Sequence, residues 1–290
     1  MPKARVLDRR RKSIQGIRKI TRTMELISTA RFKRAMDRAS AATAYTKRIT
    51  ELTRHLADAG LEVAHPLLET HPETNRAVLL VLSGNRGMCA GYNANILRLA
   101  RSRLRELRNS VPQVDLEVSG KKAITAFQFR GMTPDKAYIH FEDRPTQEET
   151  DELAARYMRD YAAGRLDRLD VVYTQFESLA RQQAVIETLL PLTDPTETHV
   201  RRVAESPYEF LPSVESILDE VISTCFRARL FKCFLDAAVS EQIARMVAMK
   251  SATENADSMI GHLSMAYNRA RQGQITTELL EVISGAEALN

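Results

Sequence analysis

The strongest constraint on this chain is where its helix breakers are missing. Between Gly16 and Gly60 there is neither glycine nor proline, and after Pro212 there is no further proline and only Gly261, Gly273 and Gly285. Glycine and proline are the residues that most often end helices, so both ends of the chain are free to run as long ones. The apolar pattern agrees. Ile14, Ile17, Ile20, Met24 and Ile27 recur at helical spacing, followed by Ala35, Ala42, Tyr45, Ile49, Leu52 and Leu56 in the alternation of three and four that marks a coiled-coil seam. Near the other end Leu218, Val221, Cys225, Ala228, Leu235, Val239, Met246, Met249, Ala256, Ile260, Leu263, Tyr267 and Ala270 form a similar stripe, interrupted by Lys232 and Thr253. At 1.5 Å per residue these patterns predict helices of ~65 Å and ~100 Å.

Between them the period changes. AVLLVL (77–82), VDLEVSG (114–120), LDVVYTQF (169–176) and QAVIETLLPL (183–192) read as strands. They alternate with helical segments over 94–109, 121–129 and 146–163. That order predicts a mostly parallel sheet with helices packed on it. The expected fold is therefore α/β inserted in all-α. A Rossmann-like domain over 71–205 separates an N-terminal helix (1–70) from a C-terminal one (206–290), and the two helices pair as an antiparallel coiled coil. Being longer, the C-terminal helix should project past its partner. Ile275, Leu279, Leu280, Val282, Ile283 and Leu289 would then lie unburied on a stretch with no Lys or Arg after Arg271. An apolar tip of that size belongs inside another protein.

The chemistry candidates are thin. SGNRGMCAGYN (83–93) is a glycine-rich strand-to-helix turn, the usual place to hold a phosphate. It lacks both GxxxxGK[ST] and GxGxxG, so it reads as a tight turn, and Cys89 as an ordinary thiol without a neighbouring His. The histidines are scattered without HxxxH or HExxH spacing, which predicts no metal site. Three cysteines without a CxxC pair indicate a reducing compartment. No apolar run reaches the ~20 residues of a membrane span, so any membrane association is through a partner. The net charge of +5 is concentrated before residue 35, where the basic residues from Lys3 to Arg34 face only Asp8 and Glu25. Such a run is a solvated helix face or meets an acidic partner, protein or nucleic acid. Few aromatics interleave with it and no nucleic-acid reader motif is present, which makes nucleic acid the weaker reading.

Three stretches carry a family resemblance. IRKITRTMELISTARFKRA (17–35) resembles the N-terminal helix of the gamma subunit of F-type ATP synthases. ARMVAMKSATENA (244–256) and YNRARQGQITTELLEVISGAEAL (267–289) resemble its C-terminal helix. NRGMCAGYN (85–93) is similar to that family's RGLCGGxN loop, with Ala90 where the pattern has glycine and Gly84-Asn85 where an Asp commonly precedes the arginine.

The resemblance implies a central rotary shaft with no active site and no cofactor. Its partners would be three alpha and three beta subunits, the epsilon subunit and the membrane c-ring, with ATP made mainly on beta. Met24 and Arg245 correspond to the meeting point with the lower beta domain. Arg86 corresponds to an arginine that pairs with a beta carboxylate, and Arg271 and Gln272 to a pair touching a beta loop higher in the bore. Tyr208 and Glu209 correspond to the segment facing the rotor ring, and the residues from Ile275 to Leu289 to the bearing tip. No closely spaced cysteine pair interrupts the central domain, unlike the thiol-switched chloroplast form. With no evident presequence, the expectation is a peripheral protein on the cytoplasmic face of a bacterial plasma membrane.

Overall fold

The glycine-poor ends are both helical in the computed structural model, α1 over Ala4–Asp58 and α5 over Val214–Glu287. The residues described are 4–58, 65–69, 71, 74–141, 144–192 and 214–287, with side chains for all of these except 50–58, 214–219 and 287. The chain divides into two compact units, one of Met1–Thr29 with Arg245–Asn290 and one of Ala30–Ala244. Both long helices contribute to each.

The larger unit is built on a five-stranded sheet. Its strands are β1 (Arg76–Leu82), β2 (Gln113–Ser119), β3 (Lys136–Tyr138), β4 (Arg168–Phe176) and β5 (Gln182–Leu190), in the order β3-β2-β1-β4-β5. β1, β2, β3 and β4 are parallel, and β5 returns antiparallel along β4. The helices α2 (Tyr92–Ser110), α3 (Lys121–Gln128) and α4 (Gln147–Ala162) make the crossovers. Because both faces of the sheet are covered, its central strand β1 is apolar from Ala77 to Leu82 without a break. Ala77, Leu79 and Val81 of β1 meet α2 and α3, while Val78, Leu80 and Leu82 meet α4 and the Ile222–Ala237 stretch of α5. The sequence reading lacked β3, which at three residues is too short to show a period, and did not distinguish the antiparallel last strand.

Two buried carboxylates tie the layers together. Glu117 on β2, 2% exposed, accepts from Tyr138 Oη at 2.7 Å, Tyr157 Oη at 2.7 Å and both terminal nitrogens of Arg156 at 2.6 and 2.9 Å. Burial and the Glu117 charge push the Tyr157 and Tyr138 hydroxyls well above the usual range, so both stay protonated donors. Asp170 on β4 accepts from Arg103 of α2, Arg168 and Thr188, at 2.8, 3.0 and 2.8 Å. At the start of α4, Thr146 and Glu149 form a capping box. Also in this unit, Ala35 and Ala39 of α1 pack against Leu235, Val239 and Ile243 of α5, the close approach that small residues permit.

In the smaller unit the helices run antiparallel. Arg11 lies over the Tyr267 ring, Arg18 is ion-paired with Asp257, and the Thr21 and Thr253 hydroxyls are 2.9 Å apart. The seam here is not the apolar stripe. A strict heptad step back from Ala35 lands on Ser28, Thr21 and Ile14, one position off Ile27 and Ile20. Ser28 and Thr21 are accordingly 1% and 8% exposed, while Ile17, Ile20, Leu26 and Ile27 are 47%, 62%, 56% and 47% exposed. The expectation that Ile17, Ile20 and Ile27 line the seam is thus corrected, and Tyr45, also expected inside, is exposed. On α5 the expected stripe holds better, with Met249, Thr253 and Ala256 buried and Ile260, Leu263, Tyr267 and Ala270 half-buried. Thr253, read as an interruption, is a seam residue.

The hydroxyl pair is testable. Each threonine also reaches its own helix, Thr21 to the Arg18 carbonyl at 3.1 Å and Thr253 to the Met249 carbonyl at 2.8 Å. Either Thr21→Val or Thr253→Val alone should lower the stability of the chain in urea unfolding by about 1 kcal/mol, and the double variant by less than the sum of the two, since the contact between the hydroxyls is lost in either single variant. Additive losses would mean the hydroxyls do not interact.

Candidate functional site

In a doubly wound sheet, ligands bind outside the carboxyl ends of the strands where the strand order reverses. Here that point lies between β1 and β4, and the Ser83–Gly91 turn leads from it into α2. Protein fills it. Phe234, Ala237, Ala238 and Glu241 of α5 line the crevice together with Leu82, Ser83, Asn85, Tyr92, Ser119 and Phe141, leaving a cavity of about 30 Å³. Tyr92 Oη donates to the Ala237 carbonyl at 3.0 Å, and Ser240 Oγ to the Thr174 carbonyl at 3.2 Å. Gly84 makes room for this contact: a Cβ there would lie 2.7 Å from Glu241 Oε1, and the carboxylate would have to shift.

The turn is stitched by its own side-chain amides. Asn93 Oδ1 accepts from the Gly84 N–H at 3.0 Å, and Asn85 Oδ1 from the Lys121 N–H at 3.0 Å. Asn85 Nδ2 donates to the Phe141 carbonyl at 3.3 Å. Ser83 Oγ lies 2.9 Å from the Ser119 carbonyl, and the adjoining Gly120 has φ +99° and no room for a side chain, since a Cβ would sit 2.1 Å from the Ser83 carbonyl oxygen. Two non-glycine residues of the turn are left-handed, Met88 at φ 60° and Ala90 at φ 47°. Arg86 stands exposed at its tip. The two asparagines and the Gly84–Glu241 contact are the residues sequence reading missed. Asparagines flanking a glycine-rich turn were a usable signal; nothing marked Glu241.

The positions expected from the resemblance fall as follows. Met24 is half-buried and Arg245 is 5% exposed, both in the smaller unit. Arg86 belongs to the larger unit. On α5 every residue from Arg271 to Ala286 is exposed, which includes Gln272, Ile275, Leu279, Leu280, Val282 and Ile283. Leu289, Tyr208 and Glu209 lie outside the described residues. Among the described residues no group of His, Cys, Asp and Glu is arranged to hold a metal, and no helix is long and apolar enough to cross a membrane.

A family model described as ATP synthase matches residues 3–289. Across the whole chain, 56% of positions are identical to the ATP synthase gamma chain of Rhodopirellula baltica, of which 99% is covered. The chain belongs to the ATP synthase gamma-chain family. It is also 37% identical to the gamma chain of Mycolicibacterium smegmatis, over 98% of this chain and 97% of that one. Solved structures with the same fold include a chain of the Euglena gracilis mitochondrial ATP synthase OSCP/F1/c-ring assembly, with a TM-score of 0.64 at 18% identity over 99% of this chain and 94% of that one. Another is from the central stalk and c-ring of the Tetrahymena thermophila enzyme, with a TM-score of 0.56 at 16% identity over 80% of this chain and 99% of that one. The chain is thus a gamma subunit with the fold of the central stalk.

Membership explains a detail of the turn. The family's RGLCGGxN pattern has glycine at the position of Ala90, where the backbone is left-handed. Glycine adopts that conformation freely and alanine with strain of about 1 kcal/mol. Ala90→Gly should therefore leave the fold unchanged and raise the unfolding free energy slightly, by up to about 0.6 kcal/mol once the added freedom of the unfolded chain is subtracted. A lowered midpoint would show that the turn does not strain Ala90.

Proposed function

We propose that this chain is the central rotary shaft of an F-type ATP synthase, coupling proton or sodium flow through the membrane rotor ring to the conformational cycle of three catalytic beta subunits. The observation that carries the reading is the large apolar side chains that α1 turns outward in the smaller unit. Its seam buries Thr21, Ser28 and Thr253 beside the small or flexible Ala256 and Met249, while Ile17, Ile20, Leu26 and Ile27 point outward. A coiled coil in water is built the other way round. Helices with apolar outer faces are suited to a surround that covers them, here a ring of alpha and beta subunits. The α5 tip beyond Arg271, exposed and free of Lys and Arg, extends the same surface.

In this reading the chain has no active site. An asymmetric rod cannot touch three equivalent beta subunits alike, so each is biased toward a different conformation, by as much as its contacts with the rod differ between states. Turning the rod moves that bias around the ring. Met24, Arg86, Arg245, Arg271 and Gln272 are the proposed beta contacts, and Tyr208 and Glu209 those facing the rotor ring and epsilon. The apolar tip supplies a bearing with few directional bonds to break on rotation. The proposed location is the cytoplasmic face of a bacterial plasma membrane, held by these partners without direct insertion and with no nucleic-acid role.

Reconstitution tests this directly. A purified alpha–beta mixture should hydrolyse ATP several-fold faster with this chain than without it, and native mass should show one copy joining a three-plus-three hexamer. Truncation after Gly273 should weaken assembly or coupling while the sheet unit stays folded. A folded chain that fails to join an intact hexamer would falsify the shaft assignment, and unchanged coupling in the truncated form would remove the tip's bearing role.

A further inference from the structure

The shaft reading makes no use of a cleft of about 680 Å³ in the larger unit, where α1, α4 and α5 meet. Each helix lines it with residues that share one face. α1 supplies Arg38, Ala41, Ala42 and Tyr45, whose spacing of three, four and seven stacks them along the helix. α5 supplies Arg227, Ala228 and Phe231, and the first turns of α4 supply Gln147 and Asp151. Alanine at 41, 42 and 228 leaves the space open. The surroundings are firm. Ala42 and Phe231 pack on the apolar seam of Ala35, Ala39, Leu235 and Val239, and the capping box of Thr146 and Glu149 fixes the start of α4. Tyr45, which seam spacing would have put inside, is exposed and forms part of the wall. Small-molecule sites are of this size and kind, largely apolar with a few polar groups, and occur between packed helices.

The polar groups of the lining favour an anion. Neither Arg38 nor Arg227 is ion-paired among the described residues, and Arg38 Nε reaches only the Arg34 carbonyl, at 3.4 Å. Burial, and then the charge of Arg144, hold the Arg38 guanidinium below its ordinary pKa, so its charge is one that an anion would relieve. Asp151 is the one carboxylate in the lining, and it has no ion-pair partner among the described residues either. Two guanidinium groups against one carboxylate leave the lining singly positive. That balance suits a monoanion better than a cation or a polyphosphate.

We propose that this cleft binds a small amphipathic anion, its apolar body seated on Ala42, Ala228, Tyr45 and Phe231 and its carboxylate or sulfonate on Arg38 and Arg227. A ligand held there ties both long helices to α4 and stabilises the folded chain in step with its occupancy. The inference stands on the cleft alone and holds whether or not the chain turns as a shaft.

The probe is 2-naphthoate, with 2-naphthamide as its uncharged counterpart. Each is titrated by calorimetry into the full chain and into its complex with alpha and beta subunits. Naphthoate is expected to bind with a Kd below about 1 mM, and the amide about tenfold more weakly. Arg38→Gln and Arg227→Gln should each weaken naphthoate about tenfold and leave the amide unaffected. Ala41→Phe, at an exposed position of the lining, should block both. Arg48→Gln, exposed on α1 outside the cleft, should bind like the parent. No binding, equal binding of the amide, indifference to the Arg38 and Arg227 variants, or an equal loss in the Arg48 variant would each overturn the proposal. So would binding to the chain alone that disappears on assembly, since a partner subunit would then be what fills the cleft.

Discussion

The seating of α5 across the carboxyl ends of β1 and β4 is the contact on which the rest of the larger unit depends. Tyr92 is bonded to the Ala237 carbonyl, Ser240 to the Thr174 carbonyl, and Glu241 lies where any side chain at position 84 would go. A doubly wound sheet ordinarily leaves this crevice open for a ligand. Here a helix occupies it, and the glycine-rich turn serves the packing of that helix. The glycines therefore answer to two different demands, room for Glu241 at Gly84 and a positive φ beside the Ser83 carbonyl at Gly120. Neither demand involves a bound phosphate.

Polarity is distributed along the paired helices in opposite ways. Where α1 and α5 pack through Ala35, Ala39, Leu235 and Val239, the seam is apolar and close, as a self-sufficient coiled coil requires. In the smaller unit buried threonines and a serine enter the seam beside Met249 and Ala256, and Ile17, Ile20 and Ile27 turn outward. Buried polar contacts of this kind contribute little net stability and are better attested as devices that set register. Helices joined in this way hold their alignment while leaving apolar surface for others to cover.

Most of the architecture was legible because the signals are long. A glycine- and proline-free stretch of forty-odd residues at one end, and strand-length apolar runs alternating with helical ones, survive local exceptions. The failures were local. Ile20 and Ile27 sit at perfectly good helical spacing, and only the phase relative to Ala35 tells that they lie outside the seam; a one-residue offset is invisible to a reading that asks only for period. β3 has three residues and no period at all. In the turn, Arg86 and the glycines were evident, but Glu241 is distant in sequence and of a type that reads as surface. Its burial is set by the helix on which it rides.

The last strand has an effect that its modest size conceals. Because β5 runs antiparallel, the chain comes back to the end of the sheet at which β1 began, and the Leu192 N–H donates to the Leu67 carbonyl at 2.9 Å. A wholly parallel sheet would have released the chain at the opposite end, a full strand length away. The α/β domain is thus a closed excursion whose two ends meet. A change of length in a loop inside the excursion therefore leaves the phase of the helical sequence on either side of it unshifted.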